Sequence, residues 1–492
     1  MTPSTQIDAL ASAVVARFLR TYAYTETLQA FIREAGLAPD VGQASGDDTH
    51  NLTIQSLLEE KKTFDHSVNF ERLGHDTKET APWALPAPSK PTIVSIPTSS
   101  NLLAASVELW QKPCHNGTDP DVATSPRPFI ISTGADRQMH MLETAHGHAA
   151  VASLSGLSDS PVLSFVSILQ GRYILMTNMS GHLLLQRGSE VLESRKDHAK
   201  YAVMVVAHEE VSDSESSRTV WVATAGWDAT VFLYRVTILD GDQETSTPVI
   251  GDPIARINLT TNPESLLFVR HVDTGELLLL VSRRDSSYIY YYQVESREKG
   301  TADSLECHLL GQQNLAPRSN AWVAFSPSHM ALSPHDPGLL AVATSSEPHM
   351  KLILVRLLFP STGSLNEPDA SATDAAVTQA SQALEALGLQ NREDAAILVQ
   401  ANTFAPQTSY STPQVAWRPD GSGVWVNGDD GVVRGIEAKT GKVIVQLKDG
   451  HEPGYKVRTI WAGYVNVPNG GNGSEEWVIS GGFDKRLIVW KV

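Results

Sequence analysis

Three residues near the end of the chain have the types and order that nucleophilic catalysis uses. His451 could serve as base, Ser480 as nucleophile and Asp484 as the group that orients the imidazole. The same residues could instead form a sealed hydrogen-bond chain completed by Trp490, because a buried carboxylate needs such partners. Other chemistry is thinly supplied. There is no GxxxxGK[ST], no GxGxxG after a strand, no HExxH and no GxSxG. The 16 histidines are scattered. His146 and His148 lie close together but lack a third ligand at metal-binding spacing, so His148 reads as a loop residue between repeats. The acidic run Asp240-Gly-Asp242-Gln-Glu244 lacks the full spacing of a calcium loop, and Gly428-Asp-Asp-Gly431 fits a hairpin turn. No cofactor or metal is expected.

The elements that must position these residues recur. Ser480-Gly-Gly-Phe-Asp484-Lys-Arg-Leu-Ile-Val-Trp490 reads as a strand, a tight turn ending on Asp and a second strand. Weaker copies run from Ile131 through Asp136 and from Ala223 through Asp228 to Tyr234. Self-similarity at roughly 40–50 residues signals a propeller of four-stranded blades. One blade cannot cover both faces of its small sheet, and stacking blades around an axis does so. With Gly450-His451 ahead of the last copy and Trp490 near its end, the chain resembles the WD-repeat family. That resemblance implies that His451, Ser480, Asp484 and Trp490 form a buried structural tetrad. Turns near Asp136, Ser180, Asp228, Asp285, Glu347, Asp430 and Asp484 give seven blades over residues 91–492. The fifth has lost its Asp. The last blade lacks an outer strand, and residues 91–97 are expected to supply it, removing an exposed edge.

Upstream, residues 7–36 read as two helices. Leu10, Val14, Phe18 and Leu19 recur at helical spacing, as do Leu28, Phe31 and Ile32; Thr25 is placed to cap the second helix and Gly36 to stop it. Helices this short are marginal alone, so their apolar faces need a partner. The segment from Phe18-Leu19 through Tyr24, Thr27, Leu28, Phe31 and Glu34 resembles the LisH motif, with Ala23 where that motif usually has Gly. The resemblance implies dimerisation through Val14, Phe18, Leu19, Tyr24, Leu28 and Phe31. The expected organisation is a LisH-like motif over 1–40, additional short helices over 41–75 built on Ile54, Leu57, Leu58, Phe64, Val68 and Phe70, and a Pro-marked linker over 76–90. The fold class is mainly β: a seven-bladed WD-type β-propeller preceded by a small α-helical dimerisation module.

Composition narrows the function. Hydrophobic residues make up 41% and charged residues 19% of 492, as in an ordinary soluble protein. Two cysteines, Cys114 and Cys307, without a CxxC support neither a disulfide framework nor a zinc site. The first residues lack the pattern of a signal peptide, and no apolar run approaches the ~20 residues of a membrane span, so membrane insertion is not expected and a cytoplasmic or nuclear location is. A net charge of −17 opposes general binding to nucleic acid. Polar insertions at 112–128, 209–217, 360–394 and 469–474 break the repeat, and 375–387 could form a short helix.

In a WD-type blade the turn before the Asp opens onto one face near the axis. Collecting those turns gives Arg137, Trp227, Arg283, Arg284, Phe483 and Lys485, basic and aromatic groups on an acidic protein. Such side chains anchor protein interfaces and suit acidic or phosphorylated peptides. The competing expectation pairs Arg283 and Arg284 with Asp429 or Asp430 and packs Trp227 between blades. The sequence therefore predicts a non-enzymatic, homodimeric scaffold whose propeller face holds other proteins of a multi-subunit complex. The alternative is an enzyme working in the central channel. Apolar residues on the candidate inner strands, such as Val203, Met204 and Val205, argue against it.

Overall fold

A computed structural model of the chain describes residues 3–43, 53–55, 58, 82–110, 126–145, 147–210, 217–239, 248–294, 307–318, 325–360, 379–466 and 473–492. They fall into two units, one of N-terminal helices and one holding the strands. Most of the helices expected over 41–75, most of the linker start and His146 lie outside the described residues, as do most of the polar insertions. Ile54 and Leu58 are helical.

Helix α1 (Pro3–Thr21) begins on Pro, whose missing N–H costs nothing at a first helical position. Helix α2 (Thr25–Ala35) ends where Gly36 turns left-handed, φ 61°, and its N–H closes on the Ile32 carbonyl. Thr25 does not cap α2; it is the first helical residue, and Tyr24 occupies the capping position without a side-chain bond. Between the helices Ala23 sits at φ 56°. That region costs a residue with a Cβ about 1 kcal/mol, which explains why Gly suits this position. Ala23→Gly should therefore stabilise the helical hairpin by about 0.5–1 kcal/mol. Slower amide exchange across α1 and α2 would show it; faster exchange would refute it. Arg20 holds the chain beyond α2, donating to the carbonyls of Val41 (3.0 Å) and Pro39.

The strands form seven four-stranded antiparallel sheets. Blade 1 is β2 (Leu102–Trp110), β3 (Arg127–Gly134), β4 (Met139–Glu143) and β5 (Ala150–Leu154). Blade 2 is β6 (Val162–Ile168), β7 (Tyr173–Asn178), β8 (His182–Arg187) and β9 (Glu190–Lys196). Blade 3 is β10 (Ala202–Glu210), β11 (Ser217–Gly226), β12 (Thr230–Leu239) and β13 (Ala255–Asn258). Blade 4 is β14 (Pro263–Arg270), β15 (Leu277–Arg283), β16 (Tyr288–Gln293) and β17 (Leu309–Asn314). Blade 5 is β18 (Ser326–Leu332), β19 (Leu339–Ser345), β20 (His349–Arg356) and β21 (Ile397–Pro406). Blade 6 is β22 (Val415–Trp417), β23 (Gly423–Val426), β24 (Val433–Glu437) and β25 (Val443–Leu447). Blade 7 joins β26 (Val457–Asn466), β27 (Ser474–Gly482) and β28 (Leu487–Lys491) to β1 (Lys90–Val94), with Ile93 opposite Ile488.

Second strands are covered on both faces by neighbouring blades, which is why β15 reads Leu277-Leu-Leu-Leu-Val281 without alternation. The core is accordingly divided into apolar clusters, one at each junction between consecutive blades. The first strands of successive blades touch in a closed circuit, β2, β6, β10, β14, β18, β22, β26 and back to β2, and so surround the axis.

Two regions depart from the sequence reading. Helix α3 runs over Gln379–Ala396, further along than the 375–387 expected, and its end is tied to blade 4 by Glu393 accepting the Asn314 N–H at 2.7 Å. Part of the segment read as a linker is docked. The Trp83 ring lies edge-on to Trp425 at 5.3 Å, over Gly423 and Gly435, where an added Cβ would stand 2.5 Å from it. Glycine inside a strand marks such close approach. Glu437 accepts the Trp83 N–H, and Arg418 donates to the Ala84 carbonyl. Among the described residues no helix is long and apolar enough to cross a membrane.

Candidate functional site at the channel mouth

The inner strands repeat a device that the sequence does not advertise. In six blades the inner strand carries a β-bulge at its second or third residue: Leu103, Leu163, Val203, Glu264, Ser328 and Arg458. A bulge re-aims a side chain, and all six line one cavity of about 230 Å³ that draws residues from every blade. This is the central channel.

In five of these blades the residue after the bulge does a second job, and Gln414, ahead of blade 6's inner strand, does the same. An inner strand is an edge, and its N–H groups toward the axis need acceptors. Thr459 accepts from Ala105, Ser164 from Val205, Met204 from Leu266, Ser265 from Met330, His329 from Val415 and Gln414 from Ile460. Each bond runs to the next blade. The corresponding residue of blade 1, Ala104, has no side-chain acceptor to offer.

The channel is therefore more polar than expected. Beside Val203 and Met204 it is lined by Glu264, His329, Gln414 and Arg458. Burial lowers the His329 imidazole to about 4, helped by the nearby Arg458 charge, and pulls the Arg458 guanidinium down to about 10. Burial raises the Glu264 carboxyl, with Arg284 partly offsetting it. His329 held neutral in the fold but titrating near 6.5 when unfolded binds more protons in the unfolded state. Its contribution is thus complete above pH ~7 and lost as pH falls toward 4. Between pH 7 and 5 the full chain should lose about 2 kcal/mol more than a His329→Gln variant. Urea midpoints at the two pH values measure this, and an equal loss in both proteins would contradict it.

The turn residues are fastened to the same end. The N–H of Ala135, Met179, Trp227, Arg284 and Phe483 each bonds the carbonyl preceding its own blade's inner strand, those of Asn101, Pro161, Tyr201, Asn262 and Lys456. Trp227 and Arg284 line the channel. Trp227 is 43% exposed and stacks on Tyr201, itself 41% exposed, at 5.2 Å. Arg284 is half exposed and pairs with Glu264 at 2.7 Å. Arg137 and Lys485 are exposed with left-handed backbones, and Phe483 is half-buried.

Neither expected pairing of the arginines occurs. Asp429 pairs with Lys456 and Asp430 with Arg434. Arg283 ends β15, half-buried, donating to the Tyr290 hydroxyl at 3.1 Å. Trp227 does not pack between blades. Tyr201, Glu264, His329 and Arg458 were not singled out by sequence reasoning, because each is an isolated residue whose neighbours come from other blades.

In blade 7 the His451 imidazole bonds Asp484 at 3.0 Å and Ser480 at 2.8 Å, and the Trp490 indole donates to Ser480 at 2.8 Å. The indole can only donate, so Ser480 accepts from it and is free to donate its own O–H in a hydrogen bond to His451 Nε2, with the Nδ1–H donating to Asp484. Ser480 is fully buried and His451 4% exposed, so no substrate reaches them. Blade 3 repeats the set with His198, Thr224 and Asp228, at 2.9 Å to the hydroxyl and 3.1 Å to the carboxylate. There Tyr234 stands in the place of Trp490 and donates to Asp197 at 3.0 Å. Asp285, the matching acid of blade 4, is exposed and left-handed, and its loop is one residue longer. In blade 5 the lost Asp is replaced by hydroxyls, with Ser346 bonded to His349 and Thr344 to Lys351. Among the described residues no cluster of His, Cys, Asp and Glu is placed to hold a metal.

Of the dimerisation residues, Val14 and Leu28 are buried, while Phe18, Leu19 and Phe31 are half-buried. Tyr22 and Tyr24 are each 51% exposed and form one aromatic cluster with Phe18, 4.8 Å from Tyr22 and 6.4 Å from Tyr24.

A family model described as UCP007778, beta-propeller domain, matches residues 124–461, and a second, UCP007778, LisH domain, matches residues 12–38. No curated protein matches the chain.

Proposed function

The chain belongs to the UCP007778 family, a LisH domain joined to a β-propeller, and from that premise we propose a non-catalytic, homodimeric scaffold that holds protein partners at the channel mouth. The observation that carries the reading is the exposed Trp227–Tyr201 stack beside Arg284 at the channel mouth. Rigid aromatic surface next to a half-exposed arginine is the composition of an interface anchor. Arg137 and Lys485 add positive charge from the equivalent turns of blades 1 and 7, which suits acidic or phosphorylated segments. The LisH helices link two such faces, and linked sites gain avidity toward repeated or paired targets. The partners belong to a multi-subunit complex of the cytoplasm or nucleus.

Catalysis in the channel is the alternative. It would have to run on Glu264 and His329, yet Arg284 engages the first and the Val415 N–H the second. The His–hydroxyl–Asp sets of blades 3 and 7 serve structure in this account.

Replacing Arg137, Trp227 and Arg284 together with alanine in the full chain tests the binding face. Quantitative capture of proteins from native extract should fall at least tenfold for the main partners, while the melting temperature stays within a few degrees. Undiminished capture would remove the face from the account.

A further inference from the structure

Arg458 is the bulged residue of blade 7's inner strand, and its guanidinium has no hydrogen-bond or ion-pair partner among the described residues. The other charged bulge, Glu264 of blade 4, is engaged by Arg284 at 2.7 Å. The cavity thus holds Arg284, Arg458 and Glu264, one positive charge in excess, inside a protein of net charge −17. His329 spends one ring nitrogen accepting the Val415 N–H, which leaves its other nitrogen a donor with no partner among the described residues. Arg458 is half-buried in the channel wall without a counter-charge, and an anion beside it would supply one. About 230 Å³ accommodates an oxyanion with several waters, each of which takes about 30 Å³.

We propose that the central channel is an oxyanion site, with Arg458 supplying the charge and His329 a neutral N–H donor to one phosphate or carboxylate group. The group arrives either as a free ion or at the tip of an acidic side chain inserted from the mouth. The inference deepens the reading of the mouth as a protein-binding face, but the residues that carry it are different ones.

The test is calorimetric titration of the full chain with inorganic phosphate, then with a phosphoserine peptide and its unphosphorylated form. Saturable phosphate binding, weakened at least tenfold by Arg458→Met and only partly by Arg458→Lys, is the expected result. His329→Gln should weaken it less, since a glutamine can keep the inter-blade bond, as Gln414 does one junction on. A merely structural role for Arg458 would lower the melting temperature without separating Met from Lys. A phosphopeptide that displaces phosphate identifies an inserted side chain as the source; phosphate binding alone identifies a free ion. An Arg137→Ala, Lys485→Ala variant, altered at the mouth but outside the cavity lining, should still bind phosphate even if partner capture is lost. No saturable phosphate binding by the full chain, or equal binding by Arg458→Met, overturns the proposal.

Discussion

Arg418→Ala should destabilise the propeller by about 3–5 kcal/mol, the largest loss expected from a single charged residue here. Arg418 is 1% exposed, and its guanidinium grips Glu476 of blade 7 through two bonds, 2.9 and 2.7 Å. It also donates to Ser422 at 2.9 Å and to the Ala84 carbonyl at 2.8 Å, and stands 4.4 Å over the Trp83 ring. Truncation leaves the Glu476 carboxylate buried without its partner and frees the segment that carries Trp83. The cost comes from stranding a charge rather than from the worth of the pair. An Arg418→Met, Glu476→Leu double variant should accordingly lose less than Arg418→Ala alone. Urea unfolding of the full chain measures both. A single variant within about 1 kcal/mol of the parent would show that the pair does not hold blades 6 and 7. Trimmed versions of the chain need residues 82–89 for the same reason.

Asp484→Ala should cost about 3 kcal/mol or more. The carboxylate accepts from His451 at 3.0 Å and from the N–H groups of Glu452 and Arg486 at 3.0 and 3.2 Å. Burial alone would raise its pKa, but those bonds outweigh it and hold the carboxyl below the usual range. Each donor left unsatisfied costs about 1–3 kcal/mol. Asp285→Ala, at the matching position of blade 4, should stay within about 0.5 kcal/mol, because that side chain is exposed. The contrast separates the two readings of the His–Ser–Asp set. A catalytic triad would lose turnover and keep stability, whereas the tetrad loses stability. Unfolding midpoints that barely move for Asp484→Ala would count against the buried chain.

Short-range signals made the propeller legible. The tight turns lie within a few residues of sequence, so all seven could be placed, and Asp484, Ser480 and Trp490 sit within one hairpin. Blade 3 was half-read. His198 precedes Thr224 by 26 residues and Asp228 by 30, close to the 29 and 33 of blade 7. Asp197 in place of the usual Gly hid it. What stayed illegible depends on distant chain. Trp83 finds its floor on Gly423 and Gly435 and its acceptor 354 residues away on Glu437. The channel charges are single residues on bulges, and no alternation pattern distinguishes a bulged Arg458 from a solvent-facing one. Aromatic and basic turns could be collected by analogy among repeats, but their partners could not, which is why Arg284 was matched to the wrong acid.

The central claim, two propellers joined through the LisH helices, is tested most directly by the mass of the purified full chain in solution. Light scattering at micromolar concentration should give the mass of two chains. A Phe18→Ala, Tyr24→Ala variant, altered at the exposed aromatic cluster, should give the mass of one, with its propeller melting unchanged. A parent protein that runs as a single chain, or a variant that remains paired, would contradict the account.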